Sequence, residues 1–191
     1  THCISSAASD VYKRQEEGLI TQQYDMGVLL TSNVVLRELS LETFFGSQRR
    51  LWVPAKHALL EKAEVTLADV AAEPYILLTV DEAAGTAMKY WSKTPYQPQI
   101  RLRTSSVEAV RSTVANGLGV TVLSDMVYRP WSLEGKRIET ISLRDAVPTM
   151  NIGLGWKQGI EFSPAMTAFR DYFRQLFLEP VVHQGRRRSG G

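Results

Sequence analysis

The sequence predicts an α/β fold with mainly parallel sheets, on three observations. From residue 16 onward, short strand-like runs alternate with helical segments. The run "YILLTV" (75–80) is apolar without interruption, as in a strand covered on both faces. The stretch "SSVEAVRSTVANGLGVTVLSD" (105–125) sends a capped helix through a glycine turn straight into another apolar strand.

In chain order, "YDMGVLLT" (24–31) and "RRLWVPA" (49–55) read as strands. "TLADVAAE" (66–73) is a short helix with Thr66 and Asp69 as its capping box, and Pro74 stops it. After "YILLTV" come a helix, "GTAMKYWSK" (85–93), and a strand, "QIRLRT" (99–104). In the next helix Ser105 is expected to accept from the Glu108 amide while Glu108 reaches back to the Ser105 N–H. Val107, Val110, Val114 and Leu118 recur at helical spacing as its apolar face, and Gly117 stands where a C-terminal cap needs positive φ. Strands "VTVLS" (120–124), "RIETISL" (137–143) and "MNIGLGWK" (150–157) follow. The last helix opens with Ser163 as cap and Pro164 at its first position, and carries Met166, Phe169, Phe173, Leu176 and Phe177 on one stripe.

Composition excludes several classes. With 191 residues and 44% apolar content the chain can bury the core of one domain or of two small lobes. Its formal net charge is +2, more than accounted for by Arg186, Arg187 and Arg188, so no nucleic-acid-binding face is implied. One cysteine, Cys3, and three histidines, His2, His57 and His183, are too few for a disulfide framework or a Cys/His zinc site. His57 follows a strand-like run and His183 lies in the tail, so neither reads as a catalytic base. Lys89 and Lys93 lie along a helix and no carboxylate pair is apparent, so no enzyme activity, metal or cofactor is expected. No window is long and apolar enough to span a membrane and no signal pattern opens the chain, which predicts a soluble, cytoplasmic protein without membrane contact. The opening "THCISSAASDVYKRQ" has no periodic face, and its "DVYKRQ" resembles translated sequencing-adapter read-through, so residues 1–15 are expected to be foreign to the natural protein.

The series "YDMGVLL", "LWVPAKHALL", "VTLADVAAEPYILL", "SSVEAVRSTVANGLGVTVLSD" and "SPAMTAFRDYFRQLF" resembles the effector-binding region of LysR-type bacterial transcriptional regulators. The likeness covers about residues 16–178, with Ala58 where the family usually has proline after the histidine. It implies a two-lobed, periplasmic-binding-protein-like fold with a small-molecule cleft. A partial first lobe would comprise 16–74 plus 144–178, the second lobe 75–143, and a flexible basic tail 179–191. The family's N-terminal helix-turn-helix and the first strand–helix units of the first lobe are expected to be missing. Partners implied are a small-molecule effector, a second copy in a homodimer or homotetramer, and DNA through the missing domain alone.

On that fold the helix after "QIRLRT" points its N-terminal amides, with Thr104, Ser105 and Ser106, beyond the carboxyl end of a strand, where open α/β sheets bind ligands. Thr79, Asp81, Gly85 and Thr86 stand at the end of the neighbouring strand, and Thr31 and Ser32 after "YDMGVLL". These nine residues are the candidate site for a small polar or anionic effector, which would act by shifting the population of lobe orientations. Arg49, Arg50, Arg101 and Arg103 flank strands, where one of them could reach a carboxylate bidentately, but they are expected in solvent. A solute-binding receptor of a transport system is the alternative on the same fold, and a signal peptide upstream would distinguish it.

Overall fold

A computed structural model of the chain describes residues 14–80 and 83–178. They form two compact units: the chain up to Glu16 together with Gly46–Met150, and Glu17–Phe45 together with the chain from Asn151 onward. The sequence expectation puts 46–74 and 144–150 with the first lobe. The observed division differs because the strand Arg49–Pro54 pairs with two strands of the larger unit and Leu67 and Val70 join that unit's core.

The larger unit contains β3 (Arg49–Pro54), α2 (Leu67–Ala71), β4 (Pro74–Leu78), α3 (Ala83–Trp91), β5 (Gln99–Thr104), α4 (Val107–Ala115), β6 (Thr121–Ser124) and β7 (Ile138–Ile141). β4 and β5 run parallel, and a parallel bridge at Tyr75–Val120 brings β6 against β4. β3 lies between β6 and β7 and is antiparallel to both. The strands therefore stand in the order β5-β4-β6-β3-β7, with β4, β5, β6 and β7 pointing one way and β3 the other. Mainly parallel is thus corrected at β3, whose direction no local pattern in "RRLWVPA" could reveal.

Both faces of this sheet are covered, which is why "YILL" is apolar throughout. Leu51, Val53, Tyr75, Leu77 and Val122 pack with Val70 of α2 and Ala87, Tyr90 and Trp91 of α3. Trp52, Ile76, Leu78, Leu123 and Ile138 pack on the other face with Val110, Val114 and Ala115 of α4. Leu118, expected on the apolar face of α4, is 60% exposed, because the helix ends at Ala115 and Gly117 turns the chain at φ +74°.

α2 forms as its sequence predicts. The Thr66 side chain accepts from the Asp69 amide, and Asp69 accepts from the Thr66 N–H at 2.8 Å. Lys62 donates to the same carboxylate at 2.5 Å, and this bond, followed by the Thr66 amide, holds Asp69 below its ordinary value of 3.8. A carboxylate depressed in the folded state stabilises above its unfolded pKa, and that stabilisation disappears as pH falls through the folded value. Asp69→Asn is therefore expected to flatten the acid limb of the stability curve below about pH 4. Urea midpoints of both proteins between about pH 6 and about pH 3 check this, and parallel curves would remove Asp69 from the acid response.

The smaller unit contains the end of α1 (14–20) from Glu17 on, β1 (Gly27–Leu30) and most of β2 (Leu39–Ser47), together with β8 (Met150–Lys157) after its first residue and α5 (Pro164–Leu178). β8 lies between β1 and β2, antiparallel to β1 with Leu29 opposite Gly153. Gly153 is required by proximity: a Cβ there would meet the Glu42 carbonyl oxygen at 2.0 Å and the Thr43 Cα at 2.8 Å. Leu19, Leu29 and Leu39 form a small core. Ser163 caps α5 as expected, accepting from the Met166 amide at 3.2 Å. Of the predicted stripe Met166 is buried, while Phe169, Leu176 and Phe177 are 41–45% exposed. Phe173 and Phe177 meet rings of β2, with Phe45 stacked on Phe177 at 5.5 Å and Phe44 beside Phe173 at 5.8 Å. Trp156 packs edge-on against Phe162 at 5.1 Å. Among the described residues no helix is long and apolar enough to cross a membrane.

Candidate effector site

The carboxyl ends of β4 and β5 meet side by side. Leu78 stands opposite Thr104, and the Thr79 amide donates to the Thr104 carbonyl at 2.8 Å. α3 begins just beyond, with the Ala83 amide on the Val80 carbonyl, which puts Gly85 and Thr86 in its first turn. Six of the nine candidate residues, Thr79, Gly85, Thr86, Thr104, Ser105 and Ser106, thus share one end of the larger unit's sheet. Asp81 lies outside the described residues.

The cap of α4 is Ser106, correcting the expected Ser105. The Ser106 hydroxyl accepts from the Ala109 amide at 3.2 Å, and the Thr104 hydroxyl accepts from the Ser106 amide at 3.1 Å. That second bond fixes the chain one residue later than a Ser105–Glu108 box would. Glu108 turns instead to Arg111, which is buried and also donates to the Val127 carbonyl at 2.8 Å. Ser105 is left exposed, with its hydroxyl outside the cap. The N–H groups of Val107 and Glu108 have no intrahelical acceptor, so this end of the helix carries positive potential. Ser106→Ala is expected to cost about 1 kcal/mol of stability and Ser105→Ala close to none. Equal losses in urea melts would return the cap to Ser105.

Thr31 and Ser32 belong to the smaller unit, at the end of β1. Thr31 is buried with its hydroxyl bonded to that of Thr43 at 2.7 Å, so its side chain is engaged within its own unit; Ser32 is exposed.

The strand order brings further residues to this end of the sheet. Arg49 opens β3 opposite Ser124, the last residue of β6, so the start of β3 lies at the same sheet end as Thr79 and Thr104. There the Ser124 hydroxyl donates to Ser47 at 2.7 Å, and the Met126 amide donates to both oxygens. A pocket of about 430 Å³ lies alongside, lined by Gln48, Arg49, Arg50, Ser142 and residues 143–147. Arg49 is half-buried rather than solvated: burial lowers its pKa, and the hydroxyls of Tyr90 and Tyr75 act the other way. Those two hydroxyls are bonded to each other at 3.1 Å, and burial pushes both upward, Tyr90 well above its ordinary value. Among the described residues no cluster of histidine, cysteine and carboxylate side chains could hold a metal ion.

Two α/β units, one of them an open sheet with helix N-termini and hydroxyl side chains gathered at its carboxyl edge, define a two-lobed, periplasmic-binding-protein-like fold. The sequence model of the LysR substrate binding domain matches residues 7–178, and the chain belongs to that family. The match begins inside the segment 1–15 that composition set apart. In Bacillus subtilis (strain 168) the uncharacterized HTH-type transcriptional regulator YybE is 28% identical over 130 residues, 68% of this chain and 43% of that protein. HTH-type transcriptional regulator CysB of Burkholderia cenocepacia is 30% identical over 125 residues, 64% of this chain and 39% of that protein. The matched region therefore spans less than half the length of these relatives. Among solved structures, HinK, a LysR family transcriptional regulator from Pseudomonas aeruginosa, superposes with a TM-score of 0.75 at 22% identity, covering 87% of this chain and 57% of that one. The effector binding domain of BenM, with its effector benzoate, gives 0.70 at 18% identity, covering 87% and 75%. At those identities the likeness is one of fold.

Proposed function

We propose that this chain is the effector-sensing part of a DNA-binding transcriptional regulator, acting in the cytoplasm as a homodimer or homotetramer and reaching DNA through a separate helix-turn-helix domain. The observation that carries this reading is the family match across residues 7–178. BenM's benzoate supports a small-molecule effector as the signal. Within the chain, the residues best suited to hold a small polar or anionic effector are Thr79, Gly85, Thr86, Thr104, Ser105 and Ser106, beside the open amides of α4. Thr31, Ser32 and Asp81 remain members of the proposed site.

Binding of an effector would favour one arrangement of the two units over another, and the energy of that preference is the signal passed to the DNA-binding domain. Ser105 gives the cleanest test because its hydroxyl is not spent on the helix cap. The chain is titrated with a panel of small metabolites, including benzoate, and followed by melting temperature and amide chemical shifts. A stabilising compound is expected, with shifts at Thr79, Thr86 and Thr104–Ser106 and an affinity at least about tenfold weaker in Ser105→Ala, the loss of one charge-assisted hydrogen bond. Binding undiminished in that variant removes Ser105 from the site. A panel without a single stabilising compound speaks against the sensing role.

A further inference from the structure

The pocket at the start of β3 contains three arginines in unlike situations. Arg50 pairs with Asp125 at 3.0 Å and Arg144 with Glu64 at 3.2 Å. The Asp145 carboxylate, also on the rim, accepts from the Leu67 amide at 2.6 Å. Arg49 differs from the other two: it donates to the Pro148 carbonyl, and the hydroxyls of Tyr90 and Tyr75 act on its charge. It is a half-buried cation that no acid among the described residues neutralises, a costly arrangement that an incoming anion would relieve. A guanidinium bonded through one nitrogen keeps the rest of its planar fork for a ligand.

We infer that the pocket around Arg49 binds a small organic carboxylate, at a place separate from the strand-end residues of β4 and β5. One arginine without an acid partner among the described residues matches one negative charge, whereas a phosphate dianion would have to draw Arg50 or Arg144 away from its own carboxylate. The Ser142 hydroxyl and Gln48 amide offer further hydrogen bonds, and Leu143, Ala146 and Val147 supply an apolar wall for the organic body. The volume is that of a small-ligand site. Arg49 and Pro148 also stand close to the two places where the chain passes from one unit to the other.

Titration of the 191-residue chain with acetate, butyrate, benzoate and inorganic phosphate, followed by amide chemical shifts, tests the assignment. Benzoate is expected to bind several-fold more tightly than acetate, with shifts centred on Gln48–Arg50 and Ser142–Val147. Arg49→Lys should weaken binding about tenfold, since an ammonium cannot match both carboxylate oxygens, and Arg49→Gln should remove it. Should Arg49→Gln fail to fold, Arg49→Lys together with Ser142→Ala, which should weaken binding a few-fold, decides the matter. Phosphate binding as tightly as benzoate would overturn the carboxylate assignment. So would shifts centred on Thr104–Ser106, affinity indifferent to Arg49, or no shift with any of the carboxylates at about 100 mM, far above the concentrations at which effector sites fill. A site at Arg49 and a site at Ser105 fail separately, because each variant leaves the other's residues intact.

Discussion

Gly153→Ala is expected to destabilise the smaller unit by at least about 3 kcal/mol and to abolish its ordered sheet at ordinary temperatures. The reason is the close approach of backbones. A Cβ at 153 would lie 2.0 Å from the Glu42 carbonyl oxygen and 2.8 Å from the Thr43 Cα, both main-chain atoms of β2 that no rotamer change can move aside. On the other side Gly153 is held in register with Leu29 of β1, so β8 cannot retreat without breaking that pairing. Gly159→Ala is the control: it has positive φ, +79°, and open space around it, so it should cost only about 1–2 kcal/mol of backbone strain. Urea melts of the two variants separate the effects, and equal losses would mean that proximity to β2 is not what selects glycine at 153.

Trp52→Ala should cost about 4 kcal/mol, the range for deleting a large aromatic side chain from a packed core. Trp52 is fully buried in the central strand of the β6-β3-β7 sheet, against Ile76, Val110 and Ile138 and edge-on to Tyr128 at 5.5 Å. Trp52→Phe is expected to be much milder, within about 1.5 kcal/mol of the parent. The indole Nε1 is buried with no hydrogen-bond partner among the described residues, so removing it offsets part of the lost contact area. Denaturant midpoints with unchanged m-values check both variants. A phenylalanine variant as damaged as the alanine variant would show that shape, not buried area, dominates there.

What the sequence made legible followed the strength of the local signal. α2, β5 and β8 fall where their capping residues and apolar spacing put them, because each is announced by neighbours in the chain. β2 was missed for a physical reason. In "LSLETFFGS" the buried positions are Leu39, Phe44 and Ser47, which breaks the period of two, and adjacent Phe44 and Phe45 both meet rings of α5. At the candidate site two adjacent serines competed for one cap, and the choice depended on a hydroxyl two residues back, at Thr104. The arginine pocket was invisible for a different reason: Gln48–Arg50 and Ser142–Val147 are far apart in the chain and meet only through the strand order.

The four tryptophans divide between the units in a way that makes each optically addressable. Trp52 and Trp91, both buried, and Trp131, 53% exposed, belong to the larger unit. Trp156, edge-on to Phe162, is the indole of the smaller one. A chain retaining Trp156 alone would therefore emit as a reporter of the smaller unit, while a chain lacking only Trp156 would follow the larger. Divergent denaturation curves from such a pair would reveal an intermediate in which one unit has melted and the other has not.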